Sequence, residues 1–213
     1  MTVEIWSDVM CPFCYIGKRR FEEALKEFPG RDSVTVTWKS FQLNPEMVTD
    51  PSKSINQFLA ELKGISIEQA KLMNDRVTDM AREAGLTYDF DKAIAANSFD
   101  AHRLSHFAKK FNSQDAIEES LFKAYFTEGK NTADHETLVT IAVENGLDEG
   151  STRAMLKGND FTEDVERDMY EAQQVGARGV PFFVFDNKYA ISGAQPSRLF
   201  LQALNTVAEE KER

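Results

Sequence analysis

Cys11 and Cys14 are the only cysteines in 213 residues. They stand three positions apart, the spacing that puts two side chains on one turn of a helix. Thiols so placed exchange disulfides, supply half of a metal site, or pack as ordinary core. Pro12 narrows the choice, because proline suits the first helical position and so puts Cys11 at the N-cap. The unpaired N–H groups of Phe13 and Cys14 would then point at the Cys11 sulfur, together with the positive end of the helix dipole. Cysteines in such settings ionise at about 3.5 to 7.5, against about 8.5 when free. Lys18, Arg19 and Arg20 add positive charge, with no acid between Cys11 and Phe21. Cys14, one turn on, can meet the Cα separation of about 4.4 to 6.8 Å that a disulfide requires. Inside the helix it is expected to be the more buried thiol with the higher pKa. Cys11 then attacks a disulfide and Cys14 resolves the mixed intermediate.

Few other residues compete for chemistry. His102 and His106 are spaced i, i+4 and could add two nitrogens to the two sulfurs to bind zinc. However, half the chain separates the pairs and no tight-turn residues flank either, so no metal is assigned. The two histidines are expected to be exposed or to line a cleft, and His135 is uninformative. Asp8, three residues before Cys11, is expected to partner the helix end or Lys18 rather than accept the Cys14 proton. No Gly-rich phosphate loop and no G-x-S-x-G elbow occurs.

The elements that must position the thiols follow from periodicity. Val3 to Ser7 and Val34 to Trp38 alternate as strands, and between them Ile16, Phe21, Leu25 and Phe28 mark one helix stopped by Pro29-Gly30. Strand, helix, strand in about forty residues is a right-handed crossover, which makes the two strands parallel. The alternation slips after Trp38, and a bulge or strand end near Lys39 or Ser40 would absorb it. From Asn44 to about Gly176 the period is helical throughout. Ser66 with Gln69 forms a capping box ahead of Met73, Val77, Met80, Ala81 and Ala84, with a stop at Gly85. Further helices carry Leu104, Phe107, Ala108 and Phe111, starting near Ser98, then Ile117, Leu121, Ala124 and Tyr125. After them come Leu138, Ile141 and Ala142, a short helix over Glu149 to Leu156, and a last stripe of Phe161, Val165, Met169, Ala172 and Val175. Phe182 to Phe185 is a strand buried on both faces; Asp186-Asn187-Lys188 turns the chain, and Tyr189 to Ser192 pairs back. Pro196 opens a final helix, and Glu209 to Arg213 is a solvated, frayed end.

One large domain, or one domain carrying an insertion, fits the length. A 42% hydrophobic content with 16 Phe excludes wholesale disorder. Twenty-five basic against 35 acidic residues give a net charge of −10, which leaves no general phosphate-neutralising surface. Nucleic acid and anionic membranes are therefore excluded as partners. Every apolar run is short, and Glu4 and Asp8 stand where a signal peptide would need a basic start and an apolar run. The expected location is cytoplasmic.

Cys11-Pro12-Phe13-Cys14 after a strand, the distant Gly179-Val180-Pro181-Phe182-Phe183 and the intervening helices resemble the DsbA-like branch of the thioredoxin superfamily. The FrnE-like cytoplasmic members are more similar still, through Asp8 to Gly17, Ala101-His102-Arg103-Leu104 and Ile191 to Pro196. The resemblance implies an α/β thioredoxin fold, a mixed four-stranded sheet flanked by helices, with a large all-helical insertion. Residues 1–44 and 177–213 would form the discontinuous thioredoxin-fold domain and 45–176 the insert. It implies a thiol-disulfide oxidoreductase or isomerase with Pro12 and Phe13 between the active thiols and a cis Val180-Pro181 peptide facing them. The backbone of Val180 would pair with an extended substrate, either a disulfide-containing protein or glutathione. No resident cofactor is implied, glutathione being a co-substrate, and Asp8 and His102 would stand behind the dithiol. Kappa-class glutathione transferases and 2-hydroxychromene-2-carboxylate isomerases share the inserted helices but typically carry serine at the first cysteine. Phe13 replaces the histidine of strongly oxidising periplasmic DsbA, which implies a potential between about −270 and −120 mV and cytosolic reductase or isomerase work.

Overall fold

The computed structural model describes residues 1–211. Strand β1 (Thr2–Ser7) leads into helix α1 (Pro12–Glu27), and β2 (Thr35–Ser40) returns parallel to β1, with Ile5 opposite Trp38 and Ser7 opposite Ser40. The crossover predicted from the sequence is therefore present, and the slip after Trp38 is resolved by β2 ending at Ser40. At the far end of the chain β5 (Phe182–Phe185) pairs antiparallel with β1, and β6 (Tyr189–Ser192) with β5. Their order is β2-β1-β5-β6, a mixed four-stranded sheet.

Strand β1 is central and alternates between two cores. Val3 and Ile5 face α1 in the main cluster with Ile16, Phe21, Phe183, Phe185 and Phe200. Trp6 faces the other way, against Ala172, Phe182 and Val184. Phe182 to Phe185 are all buried because this strand lies between both layers. Gly17 lets α1 approach it closely: a Cβ there would stand 3.0 Å from the Pro181 ring. Helix α9 (Ser197–Lys211) covers the α1 side through Phe200, Leu204 and Val207. It continues through Glu209, Glu210 and Lys211 instead of fraying, because Glu210 bonds Lys188 and Tyr189. The rest of the expected frayed end, 212–213, lies outside the described residues.

The region between the sheet halves corrects the expectation of an all-helical block. Strand β3 (Asp50–Ser54) pairs antiparallel with the two-residue β4 (Ile94–Ala95) in a small separate sheet. Helix α2 (Ile55–Lys63) follows β3 directly, capped by Ser54 with a Gln57 capping box that the sequence reading passed over. Helix α3 (Ile67–Glu83) has the expected Ser66–Gln69 box but buries Ala70, Asn74 and Ala81; Met73, on the expected inner stripe, is exposed. Helices α4 (Phe99–Lys109), α5 (Gln114–Phe126), α6 (His135–Glu144), α7 (Glu149–Lys157) and α8 (Thr162–Gln174) complete the block. Phe111 and Val175 fall past the ends of α4 and α8 and are exposed, not core.

Candidate active site

Cys11 is the N-cap of α1, with extended backbone (φ −86°, ψ 110°) and Pro12 at the first helical position. This is the placement the Cys-Pro spacing predicts, but the side chain makes no capping bond. The Cys14 N–H goes to the Cys11 carbonyl at 2.9 Å, so of the two amides expected at the sulfur only that of Phe13 lies outside this bond. A neutral thiol is a weak acceptor and a better donor. The Cys11 Sγ accordingly donates to the Val180 carbonyl oxygen at 3.4 Å. The Val180–Pro181 peptide is cis. Both cysteines are free thiols and buried, Phe13 between them exposed. Burial, the neighbouring Cys11 thiol and its charge push the Cys14 thiol well above its ordinary value, while the Ser7 side chain and Asp8 backbone act against the rise.

The cations expected to mark the site electrostatically do not serve it. Lys18 is buried and pairs with Glu22, Asp115 (3.3 Å) and Glu119 (3.2 Å). Arg19 binds Glu22 and Glu119, and Arg20 bonds the Ala194 carbonyl. The acids on α5 that neutralise these cations lie about a hundred residues away in sequence, so inspecting the segment before Phe21 could not find them.

Asp8 is fully buried, and its carboxylate bonds neither Lys18 nor a residue of α1. Its carboxylate accepts the Leu43 N–H at 2.7 Å and the Met10 N–H at 3.3 Å, and its carbonyl accepts the Cys11 N–H at 2.9 Å. His102 Nε2 stands 3.6 Å from Asp8 and 3.0 Å from the Phe41 carbonyl. Burial lowers the His102 pKa, but the bond to Asp8 and its charge outweigh this and raise it. His102 and His106 are thus buried, contrary to expectation, and they diverge. His106 reaches Ser40 Oγ (3.1 Å) and Asp168 (2.9 Å), away from the cysteines. Among the described residues no cluster of three metal-ligating side chains forms.

Several contributors escaped the sequence reading. Tyr88, from the loop ahead of β4, donates to the Pro12 carbonyl at 2.7 Å and stacks in a column with Tyr15 and Phe126. An apolar groove of about 350 Å³ opens at Cys11. Its walls include Met10, Phe13, Leu43, Phe58, Leu59 and Met73. The exposed apolar residues of α3 are the available signal: Met73 reads as core because periodicity marks a face without saying what covers it.

A mixed sheet with a Cys-x-x-Cys pair opening the helix after its first strand, facing a proline at the start of an inner strand, defines the thioredoxin-like class. The family model for the DSBA-like thioredoxin domain matches residues 2–205, and the chain belongs to that family. The chain is 31% identical to YwbO of Bacillus subtilis, an uncharacterised protein, over 98% of each chain. A probable DsbA oxidoreductase of Streptomyces coelicolor is 40% identical, with a TM-score of 0.92 over 99% of this chain and 91% of that one. Cytosolic disulfide reductase DsbM of Pseudomonas aeruginosa, solved with GSH, is 18% identical with a TM-score of 0.68 over 100% of both chains, a likeness of fold.

Proposed function

We propose that the protein is a thiol-disulfide oxidoreductase in which Cys11 attacks and Cys14 resolves. The observation that carries this is the joint placement of the two thiols: Cys11 at the N-cap against Val180, Cys14 one turn behind it and deeper in the core. Cys11 displaces one sulfur of a substrate disulfide as thiolate and forms a mixed disulfide. Cys14 then loses its proton, attacks the Cys11 sulfur and expels the second thiolate. The substrate disulfide gains two electrons, and the protein dithiol becomes a disulfide.

The preferred substrate is a disulfide-bearing polypeptide, with Val180 offering its backbone to an added strand and the apolar groove receiving a side chain beside the reactive cysteine. Among the described residues the only cation lining that groove is Lys63, against the two carboxylates of glutathione. Glutathione serves as reducing co-substrate, in keeping with the likeness to DsbM. The work is reduction or isomerisation in the cytoplasm. Among the described residues no helix is long and apolar enough to cross a membrane.

Reduction of insulin disulfides tests the reading. Cys11→Ser should abolish it with the fold intact; retained turnover would overturn the assignment. A glutathione-dependent isomerase would keep turnover of a small electrophile in the same variant. Cys14→Ser should accumulate mixed disulfides in cell extract and so reveal the substrates.

A further inference from the structure

Ser7 is the last residue of β1, and its side chain is nearly without solvent exposure. The alternation of β1 puts it on the face of Val3 and Ile5, the face covered by α1 and its Cys14. Among the described residues its hydroxyl has no hydrogen-bond partner. The obvious candidate across the strand pair is Ser40, but that hydroxyl is engaged with His106. A buried unpaired hydroxyl costs free energy, so its retention calls for a reason. The Asp8 carbonyl accepts the Cys11 N–H at 2.9 Å, which sets this end of β1 against the first turn of α1, and the Ser7 side chain and the Asp8 backbone favour the Cys14 thiolate against its burial. A neutral thiol offers a hydroxyl little to bond; a thiolate is a strong acceptor.

We propose that the Ser7 hydroxyl and the Asp8 backbone N–H form a two-donor cradle for the Cys14 thiolate, making Ser7 a catalytic residue of the resolving step. This rests on the oxidoreductase reading and assigns the half of it that the helix N-terminus leaves unexplained. Cys14 lies inside α1 with its own N–H bonded to the Cys11 carbonyl, so the helix end does not hold its charge. Once Cys11 is tied up in the mixed disulfide, Ser7 and Asp8 from the β1 end still act on Cys14, which is coupled in turn to Tyr88 from the loop ahead of β4. His102 lies behind Asp8, and Lys18 and Arg19 are held by carboxylates. As Cys14 gives up its proton to solvent, the idle hydroxyl turns its own proton onto the sulfur. The anion persists long enough to attack Cys11.

Ellman's reagent at one equivalent separates the two half-reactions in a stopped-flow trace. Cys11 releases a first thionitrobenzoate as the mixed disulfide forms, and Cys14 releases the second as the protein disulfide closes. With Ser7→Ala the first release should be unchanged. The second should slow about tenfold at neutral pH, the effect of one hydrogen bond to a charged sulfur, and its pH midpoint should rise by about one unit. Ser7→Thr, which keeps the hydroxyl, should restore both. A purely structural hydroxyl predicts the opposite pattern, in which Ser7→Ala folds at least as stably and releases both equivalents at normal rates. That result, or a slowing equal at every pH, overturns the proposal while leaving the oxidoreductase reading in place. Absence of the first release in the unaltered protein overturns both.

Discussion

The Cys11 Sγ and the Val180 carbonyl oxygen are 3.4 Å apart, with the thiol as donor, so the residue proposed to attack and the residue proposed to receive substrate backbone are joined in the reduced protein. Oxidation removes that proton and frees the carbonyl. Cys11→Ser keeps the donor, whereas Cys11→Ala leaves the carbonyl without it. Both variants should be inactive, and urea denaturation should find the serine form more stable by about 1 kcal/mol. Equal stabilities would show that the contact contributes nothing.

The Cys14 thiol ties stability to pH. Burial keeps folded Cys14 protonated well above its ordinary value of 9.0, whereas the unfolded chain releases the proton near that value. Above it the unfolded state binds fewer protons, so stability falls as pH rises. A Cys14→Ala variant has no such proton. The stability of the reduced protein relative to that variant should therefore be constant up to about pH 8 and decline beyond it. Denaturant titrations of both proteins at pH 7 to 10 measure this, and a flat difference would refute it.

Glu119 fastens α5 to the first helix. It accepts from the Tyr15 hydroxyl at 2.5 Å and from Arg19 Nη1 at 2.8 Å, and lies 3.2 Å from the Lys18 ammonium. Burial would raise its carboxyl, but Arg19, Tyr15 and Lys18 outweigh this and bring it to about 2. Its contribution is thus present above the ordinary carboxylate value of 4.5 and disappears as pH falls through about 2. Glu119→Gln should destabilise the protein by about 1–2 kcal/mol at pH 7. The gap from the unaltered protein should close progressively below pH 4.5 in acid denaturation curves; a gap independent of pH would contradict this.

The local rules that exposed Cys11 and Cys14 also explain what stayed hidden. Proline at N1, the Ser66–Gln69 box and the Phe182–Phe185 run each state their structure within a few residues, and each appears where expected. The failures are non-local. Glu22 at i+4 is a partner for Lys18 that the sequence does show, but Asp115 and Glu119 reach the ammonium only through α5. Strand β3 has the sequence Asp-Pro-Ser-Lys-Ser, poor in strand formers, and exists because Ile94 and Ala95 complete it. Met73 satisfies the same periodicity as a core residue but faces the groove.

That groove yields a prediction of its own. Met73 lies on its wall and is 39% exposed, so a charge there is tolerated by the fold but faces any apolar side chain docked beside Cys11. Met73→Glu should change stability by less than about 0.5 kcal/mol. It should lower kcat/KM for insulin reduction about tenfold, the equivalent of losing one buried apolar contact. Reaction with Ellman's reagent, which needs only the sulfur, should be unaffected. Equal effects on both substrates would show that the groove does not select.

Asp168 on α8 is the opposite case, a buried charge far from the chemistry. Its carboxylate accepts from the Ser40 N–H and Lys39 Nζ at 2.9 Å each and lies 2.9 Å from His106 Nε2; its carbonyl accepts from the Trp6 indole at 2.8 Å. Burial would raise its carboxyl, but the bonds to His106, Ser40 and Lys39 hold it below the ordinary value. Asp168→Ala leaves the Lys39 ammonium to Glu171, 2.6 Å away, but takes the acceptor from the buried Ser40 amide. The expected cost is about 1–3 kcal/mol, as for a buried amide left unpaired. Asp168→Asn keeps an acceptor for Ser40 and should cost less. Neither variant touches the thiols, so molecules that remain folded should release both equivalents from Ellman's reagent at unaltered rates. A slowed second release would place Asp168 in the redox machinery rather than in the seam between sheet and helices.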